Sequence, residues 1–255
     1  MIAAVLFDLD GTLVDHQRAA SIALRKALGS GGRVDSIGLA SLERQWFALE
    51  RKHMDTFLVG DCSFAEQRRR RLREFLPELG ITPGADGELD AWFIGYVGTY
   101  EANWTTYRDV HPRLNDLVAL GLHPKLGVLT NGEHHQQCSK IARCGLLGYF
   151  DEVLVSQDLG YAKPAIACFA EACRRLEVAP EDTVYIGDAL DIDARAAAAA
   201  GLCGVWLDRH DRDPEIYRPR IESLAEVPTI ISQLAVGRRS SELSSSRPPK
   251  IPSRP

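Results

Sequence analysis

Apolar and polar positions alternate in blocks over the second half of the chain, from about residue 106 onward. Short apolar runs predict strands at 125–130, 152–156, 182–187 and 202–207. The amphipathic blocks beside them predict helices at 112–121, 133–144, 165–177 and 190–200. Strands that alternate with helices are typical of a parallel sheet covered on both faces. The pattern therefore predicts an α/β fold built on a doubly wound parallel sheet.

A continuous apolar run over residues 2–7 predicts one more strand of this sheet, because strands that are buried on both faces lack polar positions. The long segment 16–105, which has a helical pattern, separates this strand from the others. In doubly wound sheets, functional groups gather at the carboxyl ends of the strands. We therefore expect the functional side chains of the protein directly after the predicted strands.

Segment 16–105 carries apolar residues at helical spacing. One stripe, which we interpret as core packing, consists of Leu89, Trp92, Phe93, Tyr96, Val97, Tyr100 and Trp104. A second stripe consists of Leu42, Trp46, Leu49, His53 and Phe57. Ser63-Phe64-Ala65-Glu66 has the form of a capping box and predicts the start of a helix that carries Leu72, Phe75 and Leu76. We expect an all-helical insertion here.

These patterns divide the chain into three parts. We expect residues 1–15 and 106–236 to form the α/β core and residues 16–105 to form the helical domain. Residues 237–255 lack apolar periodicity and are rich in Ser, Pro and Arg. Such segments cannot bury enough apolar surface to fold, so we expect a disordered tail.

Composition narrows the class of protein. Hydrophobic residues make up 45% and charged residues 25% of the chain, as in ordinary globular proteins. No apolar run approaches the ~20 residues of a membrane span, and the first apolar run is too short and lacks the basic lead of a signal peptide. We therefore expect a cytoplasmic protein with no membrane partner.

Cysteine spacing argues against disulfides and zinc sites, and the net charge argues against a nucleic-acid-binding protein. The six cysteines form no C-x-x-C pair and fall inside predicted helices and strands, which indicates reduced, packed thiols rather than disulfides or zinc ligands. The formal net charge is −5, although the tail is basic. A negative body argues against nucleic acid as a partner.

Two carboxylates, Asp8 and Asp10, follow the first predicted strand and are one residue apart. At an effective dielectric near 20, two like charges about 4 Å apart repel by roughly 4 kcal/mol. A cation or a shared proton must offset that repulsion if both side chains occupy one pocket. The alternative is an Asp-rich turn that ends the strand, because Asp and Gly are common turn residues.

Three further segments favour a shared site. Thr130-Asn131-Gly132 follows one strand, Lys163-Pro164 opens a helical run, and Gly187-Asp188 follows another strand, with Asp191 and Asp193 after it. In this order and spacing, the four segments resemble the motifs of the haloacid dehalogenase superfamily, most of whose members are Mg²⁺-dependent phosphatases. The resemblance spans residues 2–206 and implies a Rossmann-like core. The helical insertion resembles the mobile cap of the superfamily's capped subclass.

The resemblance implies roles for the acidic residues. Asp8 would be the nucleophile that forms an aspartyl-phosphate, and Asp10 would be the general acid and base. The metal site would use Asp8, the backbone carbonyl of Asp10, Asp188 and a second downstream acid. For that acid we favour Asp193 over Asp191. Oxygen ligands of this kind suit Mg²⁺, and we predict that ion as the cofactor.

The resemblance also implies a phosphate-binding set. Lys163 would neutralise the nucleophile and a phosphoryl oxygen, and Thr130 would donate a hydrogen bond to another, beside the amides of Asn131 and Gly132. Two structural alternatives stay open. Lys163 could be an exposed surface lysine, and Thr130 could be the N-cap of the following helix.

Five arginines lie close together in the helical domain, at 68–71 and at 73. Consecutive helical positions are separated by ~100°, so at most one or two of them can face a substrate. We interpret the run as a solvated helix surface.

Together these observations predict a Mg²⁺-dependent phosphatase that acts on a small phosphorylated metabolite, either a sugar phosphate or a nucleotide monophosphate. We expect a monomer or homodimer. A phosphomutase and a haloacid dehalogenase are enzymatic alternatives, although a dehalogenase has no need for Asp10. A phosphoacceptor signalling domain and an inactive binding protein are the alternatives outside catalysis.

Overall fold

The sheet has six parallel strands in the order β3-β2-β1-β4-β5-β6 in a computed structural model of the chain, which describes residues 2–29, 36–119, 124–209 and 217–234. The predicted doubly wound α/β fold is thus confirmed. The strands are β1 Ala4–Phe7, β2 Lys125–Thr130, β3 Glu152–Val155, β4 Thr183–Gly187, β5 Cys203–Leu207 and β6 Arg220–Ile221. The short β6 was not predicted, since two residues carry no readable periodicity.

Helices flank the sheet and fill the segment between β1 and β2. They are α1 His16–Leu28, α2 Ser36–Leu58, α3 Phe64–Phe75, α4 Asp86–Ala102, α5 Val110–Ala119, α6 His134–Arg143, α7 Ser156–Leu159, α8 Ile166–Leu176 and α9 Ala196–Ala199. Short 3₁₀ turns cover Leu76–Leu79, Leu147–Tyr149, Pro180–Asp182 and Leu224–Glu226, and 227–234 is helical. The predicted tail 237–255 lies outside the described residues. The division into core and cap stays a prediction.

Strand β1 lies at the centre of the sheet and positions the site. Its four residues are fully buried, as expected for an apolar run with neighbours on both sides. Phe7 pairs with Val128 of β2 and with Ile186 of β4. This register brings the residues that follow the three strands to the same edge of the sheet.

The helical segment between β1 and β2 has an aromatic core, as predicted. Trp46 of α2 is completely buried, and its ring centre lies 4.9 Å from those of Phe75 and Tyr96. Its Nε1 donates to the Tyr96 hydroxyl at 3.0 Å. Ser63 is the N-cap of α3, because its Oγ accepts from an amide of the first turn. Helix α4 ends before Trp104, so the last predicted residue of its stripe packs from the following loop.

No helix in the described residues has the length and apolar character that a membrane crossing requires. All six cysteines are free thiols, as their spacing predicts. Three of them, Cys144, Cys168 and Cys173, are buried in the apolar core.

Candidate active site

Asp8 lies directly after β1 and is 6% exposed. Its Oδ1 accepts a hydrogen bond from Lys163 Nζ at 2.7 Å, whereas its Oδ2 is buried without a partner. Burial raises the pKa of Asp8 to about 7, although the Lys163 charge opposes the shift. One carboxylate oxygen is therefore held in place and the other is free for a ligand or for chemistry.

Lys163 is buried and donates three hydrogen bonds of 2.7 Å, to Asp8, to Asp193 and to the hydroxyl of Tyr185. Three bonds use the whole donor capacity of an ammonium group. Burial disfavours its charge, but the two carboxylates outweigh burial and raise the pKa of Lys163 above its ordinary value. Lys163 is thus a charged member of the site, and an exposed surface lysine is excluded.

Asp188 follows β4 and completes a cluster of three carboxylates with Asp8 and Asp193. Oxygen atoms of the three side chains lie within 4.8 Å of one another. Desolvation and the charges of Asp8 and Asp193 raise the pKa of Asp188 well above its ordinary value, although its side chain opens to a cavity. The unpartnered Asp8 Oδ2 and the all-oxygen donor set fit a hard divalent cation.

Asp193, and not Asp191, belongs to this cluster, and its role at a metal stays a prediction. Asp193 is 1% exposed and accepts from Lys163 and Tyr185 through Oδ1, and from the Ala189 amide through Oδ2. Asp191 is exposed and pairs with Arg195. The bonds of Asp193 indicate that it positions Lys163.

The predicted helix over 190–200 has a different form. Its first part, Leu190–Arg195, is a π-helical turn, and α9 follows it. A π turn adds a residue to the helical repeat, and such turns are frequent at functional sites. The turn presents the Asp193 side chain to the sheet edge, and Gly187 leaves room for it, since a Cβ at Gly187 would overlap the Asp193 carboxylate.

The Asp10 side chain turns away from the three-carboxylate cluster and toward α6. Both of its oxygens lie 2.7 Å from Lys140 Nζ, Gln137 donates to it at 3.0 Å, and His16 lies 3.9 Å away. Burial raises the pKa of Asp10, but these charges and hydrogen bonds outweigh burial and lower it below its ordinary value. Any role of Asp10 as a metal ligand is therefore left to its backbone carbonyl.

Sequence reasoning missed Gln137, Lys140 and Tyr185. Lys140 is 1% exposed and Gln137 is 3% exposed, and the two are one turn apart on α6. A lysine on the buried face of an amphipathic helix is a usable signal, because such a charge needs a partner. The partner, Asp10, is 130 positions away in the sequence.

Thr130 ends β2 and is 1% exposed. Its Oγ1 accepts from Gln137 Nε2 at 2.7 Å. It is not the N-cap of α6, since that position belongs to Glu133, whose carboxylate accepts from the amides of His135 and Gln136. The structural alternative for Thr130 is thus excluded. Its hydroxyl donates to the Asn131 carbonyl at 3.4 Å, a long bond that a ligand oxygen can replace while Gln137 donates to the Thr130 oxygen.

Asn131 connects the loop after β2 to Lys163. Its side chain donates to the Lys163 carbonyl at 2.8 Å and accepts from the Lys163 amide at 2.9 Å. The Gly132 amide donates to Ser156 Oγ at 3.2 Å. The loop with the predicted phosphate-binding residues is therefore held rigidly beside Asp8 and Lys163.

Gly11, in the loop after β1, lies directly against the Asp188 side chain. Its φ is +89°, and a Cβ there would overlap the Asp188 carboxylate. We expect Gly11→Ala to lose about 1–2 kcal/mol of stability from its backbone and to displace Asp188, which raises the Mg²⁺ concentration for half-maximal turnover at least about tenfold. Denaturant unfolding and a metal titration of turnover measure the two effects.

Gly60 provides the matched control for this substitution. Its φ is +83°, and no atom lies within 4 Å of the position of its Cβ. Gly60→Ala should therefore lose a similar amount of stability from its backbone. The Mg²⁺ concentration for half-maximal turnover should stay unchanged. An unchanged titration for Gly11→Ala as well would contradict the assignment of Asp188 to the metal.

Known proteins with similar sequences support this interpretation of the site. Residues 2–201 match the family of haloacid dehalogenase-like hydrolases. The chain is 34% identical to the glyceraldehyde 3-phosphate phosphatase of Methanopyrus kandleri over 86% of its own length and 95% of the relative. It is 32% identical to the phosphoserine phosphatase of Thermus thermophilus over 76% of its length and 75% of the relative.

A solved structure of a HAD-hydrolase is also similar to this chain. The magnesium-bound HAD-hydrolase YfnB of Bacillus subtilis superposes with a TM-score of 0.76 at 25% identity, over 91% of this chain and 99% of that one. The family match covers most of the chain and includes all four segments that meet at the sheet edge. The chain therefore belongs to the haloacid dehalogenase-like hydrolases.

Proposed function

We propose that the protein is a phosphoric monoester hydrolase that acts on small phosphorylated metabolites through an aspartyl-phosphate on Asp8. The observation that carries the proposal is the asymmetry of the Asp8 carboxylate: Oδ1 is bound by Lys163, and Oδ2 is buried without a partner. Sequence relatives that are named phosphatases support the reaction class.

In the first half-reaction, Asp8 Oδ2 attacks phosphorus and the bond to the leaving oxygen breaks. Asp10 gives its proton to that oxygen. A bound phosphoryl dianion adds negative charge beside Asp10 and so favours its protonated form. In the second half-reaction, the Asp10 carboxylate takes a proton from water, which attacks the phosphorus and restores Asp8.

Positive charge at the site comes from the chain and from the cofactor. Lys163 compensates the Asp8 charge, and Thr130 with the Asn131 amide would bind phosphoryl oxygens. The Gly132 amide donates to Ser156 Oγ and would have to exchange that partner to join them. Mg²⁺, held by Asp8, Asp188 and the Asp10 carbonyl with Asp193 close by, would supply further positive charge against the phosphoryl oxygens.

The geometry favours a phosphatase over a dehalogenase. A dehalogenase needs no acid beside its nucleophile. Here Lys140, Gln137 and His16 hold the Asp10 carboxylate in place two residues after Asp8, as a role in proton transfer requires. Residues 16–105 would form the cap that excludes water during the first step. Product analysis separates hydrolysis from transfer to a second hydroxyl.

We place the enzyme in the cytoplasm, as a monomer or homodimer.

Removal of the metal tests the proposal. With an aryl phosphate as substrate, we expect Mg²⁺-dependent turnover that falls to background when excess EDTA is added and returns when Mg²⁺ is restored. The cause is that Asp8 and Asp188 repel each other and the phosphoryl group without a cation. Unchanged turnover in EDTA would contradict the metal, and no turnover with any phosphate monoester would contradict the function.

A further inference from the structure

Helix α3 carries the arginine run, and the structure separates its members into two groups. Three of them pair with acidic side chains: Arg69 with Asp90, Arg70 with Glu66 and Arg73 with Asp86. Arg71 is 3% exposed, so the prediction of a solvated surface is wrong for it. Arg68 is half-buried, and its guanidinium, like that of Arg71, lies over the Phe93 ring of α4. The second group therefore faces inward.

Arg71 has donors without acceptors. Its guanidinium lies 3.6 Å from the centre of the Trp46 ring, and its Nη1 lies 3.1 Å from Glu50. Its Nε and Nη2 are buried without a hydrogen-bond partner. A buried donor that lacks a partner costs about 1–3 kcal/mol, and more when it is charged. An anion that displaced the atoms covering Nε and Nη2 would supply the missing acceptor.

Arg68 is a second cation without a matching acid. Its guanidinium lies 4.2 Å from the centre of the Phe64 ring, and none of the described acidic side chains lies within ion-pair distance of it. Burial and the neighbouring charge of Arg71 lower the pKa of Arg68. Two arginines that repel each other in a partly desolvated place are stabilised by an anion between them.

Both arginines line a cavity of about 190 Å³ that also touches Asp10 and Gly132. The cavity thus runs from the proposed phosphate-binding loop to α3. Gln67 lines it as well, and its buried Oε1 has no partner. An acceptor at this point suits a hydroxyl or ammonium group. The lining combines cations with few acids, and Asp10 and Glu50 already pair with Lys140 and Arg71.

We infer that this cavity binds a second anionic group of the substrate, on the free edge of Arg71 and on Arg68, while the phosphoryl group lies at Asp8. The inference rests on the proposed phosphatase function. Guanidinium groups bind carboxylate and phosphate alike through two parallel hydrogen bonds. The substrate class is then a phosphomonoester that carries a carboxylate or a second phosphate. A neutral sugar monophosphate has no group for these donors.

Matched pairs of substrates test the inference. 3-Phosphoglycerate and glycerol 3-phosphate differ in a carboxylate, and fructose 1,6-bisphosphate and fructose 6-phosphate differ in a second phosphate. We expect kcat/KM to favour the doubly anionic member of one pair at least about tenfold. The pair that shows the preference identifies the anion. Equal values in both pairs, with normal turnover of an aryl phosphate, would overturn the inference and leave the phosphatase function intact.

Variants locate the effect. Arg71→Lys keeps the charge but removes the planar edge, and Arg68→Met removes a half-buried charge. In each variant, the ratio of kcat/KM between the two substrates of a pair should be close to one. Arg73→Met, on the outer side of α3, should retain the wild-type preference. If Arg71→Lys does not fold, Arg68→Met carries the test, and a folded Arg68→Met with the full preference would overturn the inference.

Discussion

Asp8→Asn is expected to reduce Mg²⁺-dependent turnover of an aryl phosphate by at least about 10³-fold. The amide keeps the shape of the side chain but removes the nucleophilic oxygen that the structure leaves unpartnered. The variant should also remain folded, because the substitution removes one negative charge from a cluster of three carboxylates, one oxygen of each lying within 4.8 Å of the others. Initial rates and thermal unfolding measure the two properties.

Asp191→Asn is the matched control for that substitution. Asp191 is an aspartate close to the same cluster, but it is exposed and pairs only with Arg195 among the described side chains. Its turnover should equal that of the wild type within about twofold, as is usual for surface changes. Turnover that survives in Asp8→Asn would refute the assignment of the nucleophile.

Lys163→Ala is expected to reduce both turnover and stability. Lys163 holds Asp8, Asp193 and Tyr185 at 2.7 Å, and its loss leaves two buried carboxylates without a cation. Breaking a buried ion pair in this way costs about 3–5 kcal/mol. Turnover should fall by at least about 10²-fold, because the nucleophile loses its orientation and the phosphoryl group loses a positive charge.

Lys52→Ala separates this effect from the general loss of a lysine. Lys52 is exposed and pairs with Glu74 at the surface, where an ion pair contributes about 0–1 kcal/mol. Its free energy of unfolding in urea and its turnover should stay near the wild-type values. A Lys163→Ala protein with wild-type stability and rate would show that the buried lysine is not needed for either.

Much of the fold could be predicted from the sequence. The apolar runs that became β1, β2, β4 and β5 lie within one or two residues of their observed bounds, because strands covered on both faces are nearly continuous apolar runs. The sixth strand, Arg220–Ile221, pairs with only two residues of β5. A strand of that length is defined by its neighbour and not by its own composition.

The candidate site was partly predictable. Asp8, Thr130, Lys163 and Asp188 follow strands or open helices, and parallel strands bring such residues to one edge. The buried face of the helix could show that Lys140 needs a partner, but the sequence could not show that this partner is Asp10, 130 positions away. Nor could the sequence show that the Asp193 carboxylate has three hydrogen-bond donors of its own.

The direction in which each of the five arginines points could not be predicted from the sequence. Helical geometry alone states that few of the five can face one direction. It does not state which, because the direction depends on the elements that pack against α3. Trp46 of α2 and Phe93 of α4 cover the side of the helix that carries Arg71, and acidic residues cover the other.

The sequence by itself determined the class of fold, the family resemblance and the short motifs at the strand ends, because neighbouring residues and a regular backbone fix those features. The tertiary structure alone decided which side chains meet. Lys163 and Asp8 are 155 positions apart, and Arg71 and Glu50 belong to different helices. Contacts of this kind depend on how whole elements pack, and their energies come from burial that no local pattern records.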